Sequence, residues 1–301
     1  RGFLVVILLT LFVAGVMLAR RNIRLGRGDR RGALRISAYL FATSMIAWLL
    51  RAHHVPDLAR EWGLLSADLG AALLGGAFVW LSYVALEPYF RRRWPDLLIS
   101  WNRLLAGRFR DPLVGRDVLV GTLAGAATAM LLHLSNALPA WLDAPGMTPV
   151  PPNMLLMKGG REAASFFFDH LGDMTFSAIA VMSLFLLLNL ILRKKWLAAV
   201  ALGLVNFVFL LSGENFSIEV PFALLQSAVF VFVVLRLGLL SVAVLQFVTP
   251  LLQVAPITLD FSRWYSGRSL LAIAVFVGIA LYAFRVALGR RPVFGAAALE
   301  D

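Results

Sequence analysis

The chain contains no cysteine, which excludes disulfides, thiolate metal sites and cysteine nucleophiles and leaves its redox compartment unmarked. Charge is scarce too: 15% of the 301 residues are Asp, Glu, Lys or Arg, against 60% hydrophobic. A soluble globule of that composition would lack the polar surface to cover itself, so the excess apolar residues must face lipid. Alternating strands of about ten residues, which a membrane barrel requires, are missing as well. In their place run unbroken apolar stretches of roughly 17 to 25 residues, each long enough at about 1.5 Å per residue to cross a hydrocarbon core of about 30 Å. The expected fold class is all-α: one polytopic transmembrane helical bundle over 1–301, with backbone polar groups satisfied inside each helix.

Nine spans are expected, at about 3–19, 34–50, 66–86, 118–138, 168–192, 196–212, 219–235, 238–255 and 269–288. Acids are the scarcer charge, 17 against 28 Lys and Arg, for a net charge of +11. That surplus does not point to nucleic acid, because the basic residues cluster beside apolar spans, where they set topology. With the N-terminus outside, the inner loops receive Arg20, Arg21, Arg24, Arg27, Arg30, Arg31 and Arg35, then Arg91, Arg92, Arg93, Arg103, Arg108, Arg110 and Arg116. They also receive Arg193, Lys194, Lys195, Arg236, Arg285, Arg290 and Arg291, which makes 21 of the 28. One long kinked helix over 219–255 would move Arg285, Arg290 and Arg291 outside, so the positive-inside bias favours nine spans. The expected location is a bacterial inner membrane, N-terminus outside and C-terminus cytoplasmic. Residues 3–18 lack a basic leader and a small-residue cleavage site, so they do not read as a signal peptide. Because the first residue is Arg1, the chain is expected to be a piece of something longer.

Two connections stand apart. Residues 91–116 place Leu97, Leu98, Trp101, Leu104, Leu105 and Phe109 at helical spacing. The spacing predicts an amphipathic helix lying on the inner membrane surface, with Arg91, Arg92, Arg93, Arg103, Arg108 and Arg110 offered to anionic lipid headgroups. The stretch 139–160 is rich in Pro and Gly and predicts an irregular outer loop. No internal repeat suggests the inverted halves of a transporter.

Two inner segments, 19–37 (ARRNIRLGRGDRRGALRIS) and 85–121 (ALEPYFRRRWPDLLISWNRLLAGRFRDPLVGRDVLVG), carry a likeness. They resemble the C-terminal multi-span region of bacterial Ser/Thr protein kinases of the kind found in Acidobacteria-like genomes, and the ending LGRRPVFGAAALED is similar to that family's C-terminus. The resemblance implies a cytoplasmic kinase domain upstream, followed by a span, an extracytoplasmic segment and this polytopic region. The kinase itself is not in the sequence, which has no Gly-rich phosphate loop, no His-Arg-Asp loop and no Asp-Phe-Gly, only Asp260-Phe261-Ser262 on the outer side. No catalytic residue carries over.

The four histidines, His53, His54, His133 and His170, all fall near the outer face, with Asp57, Glu61, Asp68, Asp143, Glu162, Asp169, Asp173, Glu214, Glu219 and Asp260. Such a rim can bind a cation or sense pH, and exposed acids are also what the topology rule leaves outside. Its sharpest cluster is Asp169, His170 and Asp173: the two acids, four residues apart, share a helix face and can hold a metal ion or fix His170 in one tautomer. No other cofactor is expected, although His133 or His170 is of a type that ligates haem or chlorophyll in a span. Phe166 and His170 match one short motif of glutamate-type intramembrane proteases, but the paired-Glu motif is missing and His133 to Asn136 has the wrong spacing. The small residues of 70–76 and 121–129 predict close helix packing. Asn189, Asn206, Gln226 and Gln246 predict interhelical hydrogen bonds.

The leading expectation is a membrane-embedded anchoring and sensory domain of a Ser/Thr kinase, its partners being anionic lipid, its own upstream kinase domain and further copies or subunits of a larger membrane complex. A transporter or channel, an accessory subunit of a larger membrane complex and an intramembrane hydrolase are the alternatives.

Overall fold

A computed structural model describes residues 2–54, 56–142, 155–211, 215–255, 257–258 and 260–289. Among these the chain forms α-helices and no strand: α1 (Gly2–Arg24), α2 (Arg30–Arg51), α3 (Leu58–Arg93), α4 (Ile99–Leu105), α5 (Pro112–Trp141), α6 (Leu155–Lys158), α7 (Gly160–Leu192), α8 (Lys195–Leu210), α9 (Phe216–Arg236), α10 (Leu239–Val254) and α11 (Ser266–Leu288). Each of the nine apolar runs holds a helix among the described residues. Six of the described helices, α2, α3, α5, α7, α9 and α11, are long and apolar enough to cross a membrane, and α8 and α10 are shorter apolar helices of 16 residues. By length and composition, these six helices are compatible with a multi-pass membrane protein. Most of the outer loop, 143–154, lies outside the described residues, as do Asp143, Glu214, Arg290, Arg291 and the ending 290–301.

α10 is the axis. Leu239 through Leu245, Phe247, Val248 and Leu251 are all buried, the condition of a helix that is apolar all round and enclosed by other helices. It packs chiefly on α5 and α7. α7 in turn carries α2, α3 and α8 on its other sides, and α11 closes against α5.

Contacts along the chain sort the helix ends into two sets. At one end, the start of α10 meets the segment after α3, Arg35 of α2 reaches Leu105, and Tyr282 of α11 donates to the Phe109 carbonyl at 2.8 Å. At the other, Arg51 of α2 meets Asp169 of α7, and His133 of α5 meets Leu252 of α10. The described members of the large basic set, from Arg20 to Arg35, Arg91 to Arg116, Arg193 to Lys195, Arg236 and Arg285, therefore share one end.

The flat helix expected over 91–116 is not there. α3 continues through Arg93, a 3-10 turn covers Pro95–Leu98, α4 has seven residues, and α5 begins at Pro112. Trp94 before Pro95 leaves helical geometry, Gly107 takes a positive φ of 78°, and Pro112 stands in the first turn of the next helix, so the backbone is broken three times. Leu97, Leu98 and Trp101 turn into the bundle and are buried, leaving Phe109 exposed.

The small-residue stretch of α5 does what its composition predicts. A Cβ on Gly121 would stand 2.7 Å from the Ser241 carbonyl oxygen, and one on Gly125 2.8 Å from Val248 Cβ. Ser241 Oγ donates to the Asp117 carbonyl at 2.9 Å and Thr249 Oγ1 to the Gly125 carbonyl at 3.2 Å, so α5 and α10 touch backbone to backbone. In 70–76 only part of the stretch behaves likewise: Gly76 lies against α2, where Ser37 Oγ donates to its carbonyl, and Gly70 meets nothing. Asn206 of α8 donates to Ser227 of α9 at 3.1 Å, one of the interhelical bonds expected of polar residues in spans. Gly121→Val is expected to force α5 and α10 apart at a cost of about 1–3 kcal/mol. Thermal unfolding in detergent should show a lower midpoint than wild type, whereas Gly70→Val, with open space around it, should unfold like wild type.

Candidate functional site

The arginine-rich end is built around a gap in α3. Pro88 has no N–H to donate, so the Val84 carbonyl, four residues earlier, lacks its helical partner. Asn22, 4% exposed, fills that gap: its amide donates to the Val84 and Ala85 carbonyls, both at 3.1 Å. Gly28, with a φ of 110°, brings the turn between α1 and α2 against Val84 and Pro88. One residue before the proline, the buried Glu87 carboxylate pairs with Arg91.

Beyond α3 the broken segment is stitched down. Tyr83 donates to Asn102 Oδ1 at 3.1 Å. Arg103 holds both oxygens of Asp111, at 2.6 and 2.8 Å, while Asp111 caps α5 through the Leu113 N–H at 3.0 Å. Desolvation pushes the Asp111 carboxyl up, but the Arg103 and Leu113 hydrogen bonds and the surrounding guanidinium charge outweigh it and hold it below the usual carboxylate value. Between α2, α4, α7 and α10 lies a mainly apolar cavity of about 380 Å³, lined among others by Ile36, Tyr39, Trp101, Phe109 and Val244, with Arg35 beside it.

Of the six arginines expected to face lipid headgroups, Arg91 and Arg103 are thus committed to carboxylates. Arg92, Arg93, Arg108 and Arg110 are exposed and form no ion pair among the described residues.

At the opposite end Asp169 and His170 of the expected cluster are each held by another group. Asp169 is taken by Arg51, which reaches it at 2.6 Å and Asp68 of α3 at 3.7 Å. His170 donates through Nδ1 to the Phe166 carbonyl at 2.9 Å, with its ring 3.8 Å from that of Phe166. Asp173 is exposed. No group of three or more His, Asp or Glu among the described residues is arranged to hold a metal ion. His133 gives its Nε2 hydrogen to Leu252. Glu162, 3.8 Å from Arg161, stands two turns, or about 12 Å, from His170 along α7, so it does not join His170 as the carboxylate that a glutamate-type intramembrane protease uses to activate water. Two further outer acids are occupied locally: Asp57 caps α3, and Asp260 holds Ser262 and Arg263 in a turn.

The sequence did not point to Arg51 as the residue joining α2, α3 and α7, because its two acids lie far from it in sequence. It did point to His54 only as one histidine among four. His54 holds Glu61 at 2.5 Å through Nδ1 and the Leu49 carbonyl at 3.2 Å through Nε2. Both partners accept, so both ring nitrogens must donate and the imidazolium is favoured. The Glu61 hydrogen bond, with the Leu49 carbonyl second, raises the pKa above the usual value of 6.5.

Comparison of the chain with protein-family models, with curated proteins and with solved structures finds no match in any of the three.

A raised histidine pKa means that the His54 to Glu61 link is complete at acidic pH and is lost as pH rises through the raised value. NMR titration of the four histidines should give His54 a midpoint above 6.5 that Glu61→Gln lowers. A midpoint unmoved by Glu61→Gln would contradict the link.

Proposed function

We propose that this chain is the membrane-embedded anchoring and sensory domain of a bacterial Ser/Thr protein kinase whose catalytic domain lies outside the sequence. It crosses the inner membrane about nine times, with its N-terminus outside and its arginine-rich end in the cytoplasm. The observation that carries this reading is that the two segments bearing the family resemblance, 19–37 and 85–121, pack on each other: Asn22 bonds Ala85, Gly28 lies against Pro88, and Arg35 donates to the Leu105 carbonyl at 3.3 Å. Residues that a family holds in common at one face of a bundle form a surface on which an attached domain can rest.

α2 supports a sensory role because it runs from Arg51, clamped between Asp68 and Asp169, to Arg35 at the arginine-rich end. A ligand or membrane state that favours one arrangement of the Arg51 pairs biases the position of α2 at its far end, a population shift between two packings. The axis α10 is buried mainly through Leu, Val, Ala and Phe, and its Ser241 and Thr249 are spent on α5 carbonyls, which weighs against a transporter.

The test is the reading frame upstream of Arg1. It is expected to encode, in frame, a Gly-rich loop, a His-Arg-Asp loop and an Asp-Phe-Gly, followed by one further span. A stop codon or an unrelated domain in that position would remove the kinase reading.

A further inference from the structure

We infer that the junction of α3, α8 and α9 is a binding site for one anionic phospholipid. The site rests on the membrane-embedded part of the proposed function and is independent of the kinase parentage. A cavity of about 640 Å³ opens there, and three cations from distant parts of the chain line it: Arg93 at the end of α3, Lys195 at the start of α8 and Arg236 at the end of α9. None of the three has a carboxylate within ion-pair distance among the described residues, although Asp96 also lines the cavity. Three cations against one carboxylate leave a net positive cavity, and an anion relieves the repulsion among them. α8 begins at the same cavity, and its N-cap residue, Lys194, supplies no side-chain hydrogen bond, so the first backbone N–H groups of the helix are also open to an anion.

Two indoles place this cavity at headgroup depth. Trp94 packs on Phe185 and lies 5.6 Å from the Lys195 ammonium, and Trp196 is 62% exposed at the cavity's edge. Amphipathic indoles beside cations are what the membrane interface selects. A free phosphate would need only the cations, but the surface next to them suits acyl chains. Trp196, Val200, Leu204 and Val208 are all more than half exposed and recur every four residues, so they form one apolar stripe leading from the cavity down α8. A phosphodiester among Arg93, Lys195 and Arg236 with its chains on that stripe fits both halves of the surface.

The test uses the full chain, delipidated in neutral detergent and titrated with phosphatidylglycerol, phosphatidylcholine or inorganic phosphate under native mass spectrometry. One phosphatidylglycerol should be held about tenfold or more in preference to phosphatidylcholine, and the triple variant R93Q/K195Q/R236Q should weaken it roughly a hundredfold. The equally charged change R20Q/R21Q/R24Q, at the same end but away from the cavity, should leave it unchanged, and K195Q alone should give an intermediate loss if the triple variant proves unstable. Equal binding of the two lipids, equal loss in the R20Q/R21Q/R24Q control, or no loss in K195Q would overturn the site. So would inorganic phosphate binding as tightly as the lipid, which would assign the cations to a soluble anion. Failure of the membrane reading itself would be evident separately, as a chain that stays soluble without detergent.

Discussion

The contact on which the bundle depends is that of α5 with α10. In a bilayer, apolar side chains gain little by leaving lipid for protein, so helices associate through close packing and hydrogen bonds. Gly121 and Gly125, one turn apart, remove the side chains that would hold the two helices at ordinary distance, and Ser241 and Thr249 then bond across to α5 carbonyls. Gly115 extends the same device to α11, where a Cβ would stand 2.4 Å from the Ala287 nitrogen. With α5 fixed on one side and α7 on the other, α10 is enclosed. Its 16 residues, about 24 Å of helix, need not match the thickness of the hydrocarbon on their own.

The arginine-rich end answers a different constraint. Irregular backbone at the edge of a membrane is tolerated where protein groups satisfy it, and here each break has a partner. The carbonyl freed by Pro88 is taken by Asn22. The turn between α9 and α10 rests on the 3-10 segment so closely that only glycine fits: Gly238 has a φ of 87°, and a Cβ on it would lie 2.3 Å from the Leu97 carbonyl oxygen. That turn also explains why 219–255 is two helices rather than one. The apolar residues of 95–105 act as a plug in this end of the bundle rather than as a lipid-facing stripe.

Much of this was legible in the sequence because it is local. Unbroken apolar runs mark helices whatever their neighbours are, and small residues mark close approach. Helix ends were read short where capped turns are polar: α3 starts at Leu58 because Asp57 caps it through the Ala59 and Arg60 N–H groups, eight residues before the apolar run begins. What depends on distant residues was not legible. Over 91–116 the deciding signals are local instead: Pro95, Gly107 and Pro112 divide the stretch, Glu87 and Asp111 take Arg91 and Arg103, and these outrank the apolar periodicity. Helical spacing brought Asp169 and Asp173 to one face, but it carried no sign of Arg51, more than a hundred residues away. Arg93, Lys195 and Arg236 likewise meet only through the packing of three helices.

In the proposed topology, successive apolar helices carry the chain from one side of the membrane to the other, with the arginine-rich end in the cytoplasm. The absence of cysteine makes this directly measurable, because any cysteine introduced is the only one. Leu25→Cys, Leu58→Cys, Phe109→Cys, Phe216→Cys and Phe261→Cys each replace an exposed side chain in or beside a connection. With a membrane-impermeant maleimide on intact spheroplasts, positions 58, 216 and 261 should react at once, and positions 25 and 109 only after the membrane is opened. Labelling of 216 and 261 from opposite sides, or of 25 and 58 from the same side, would contradict the account.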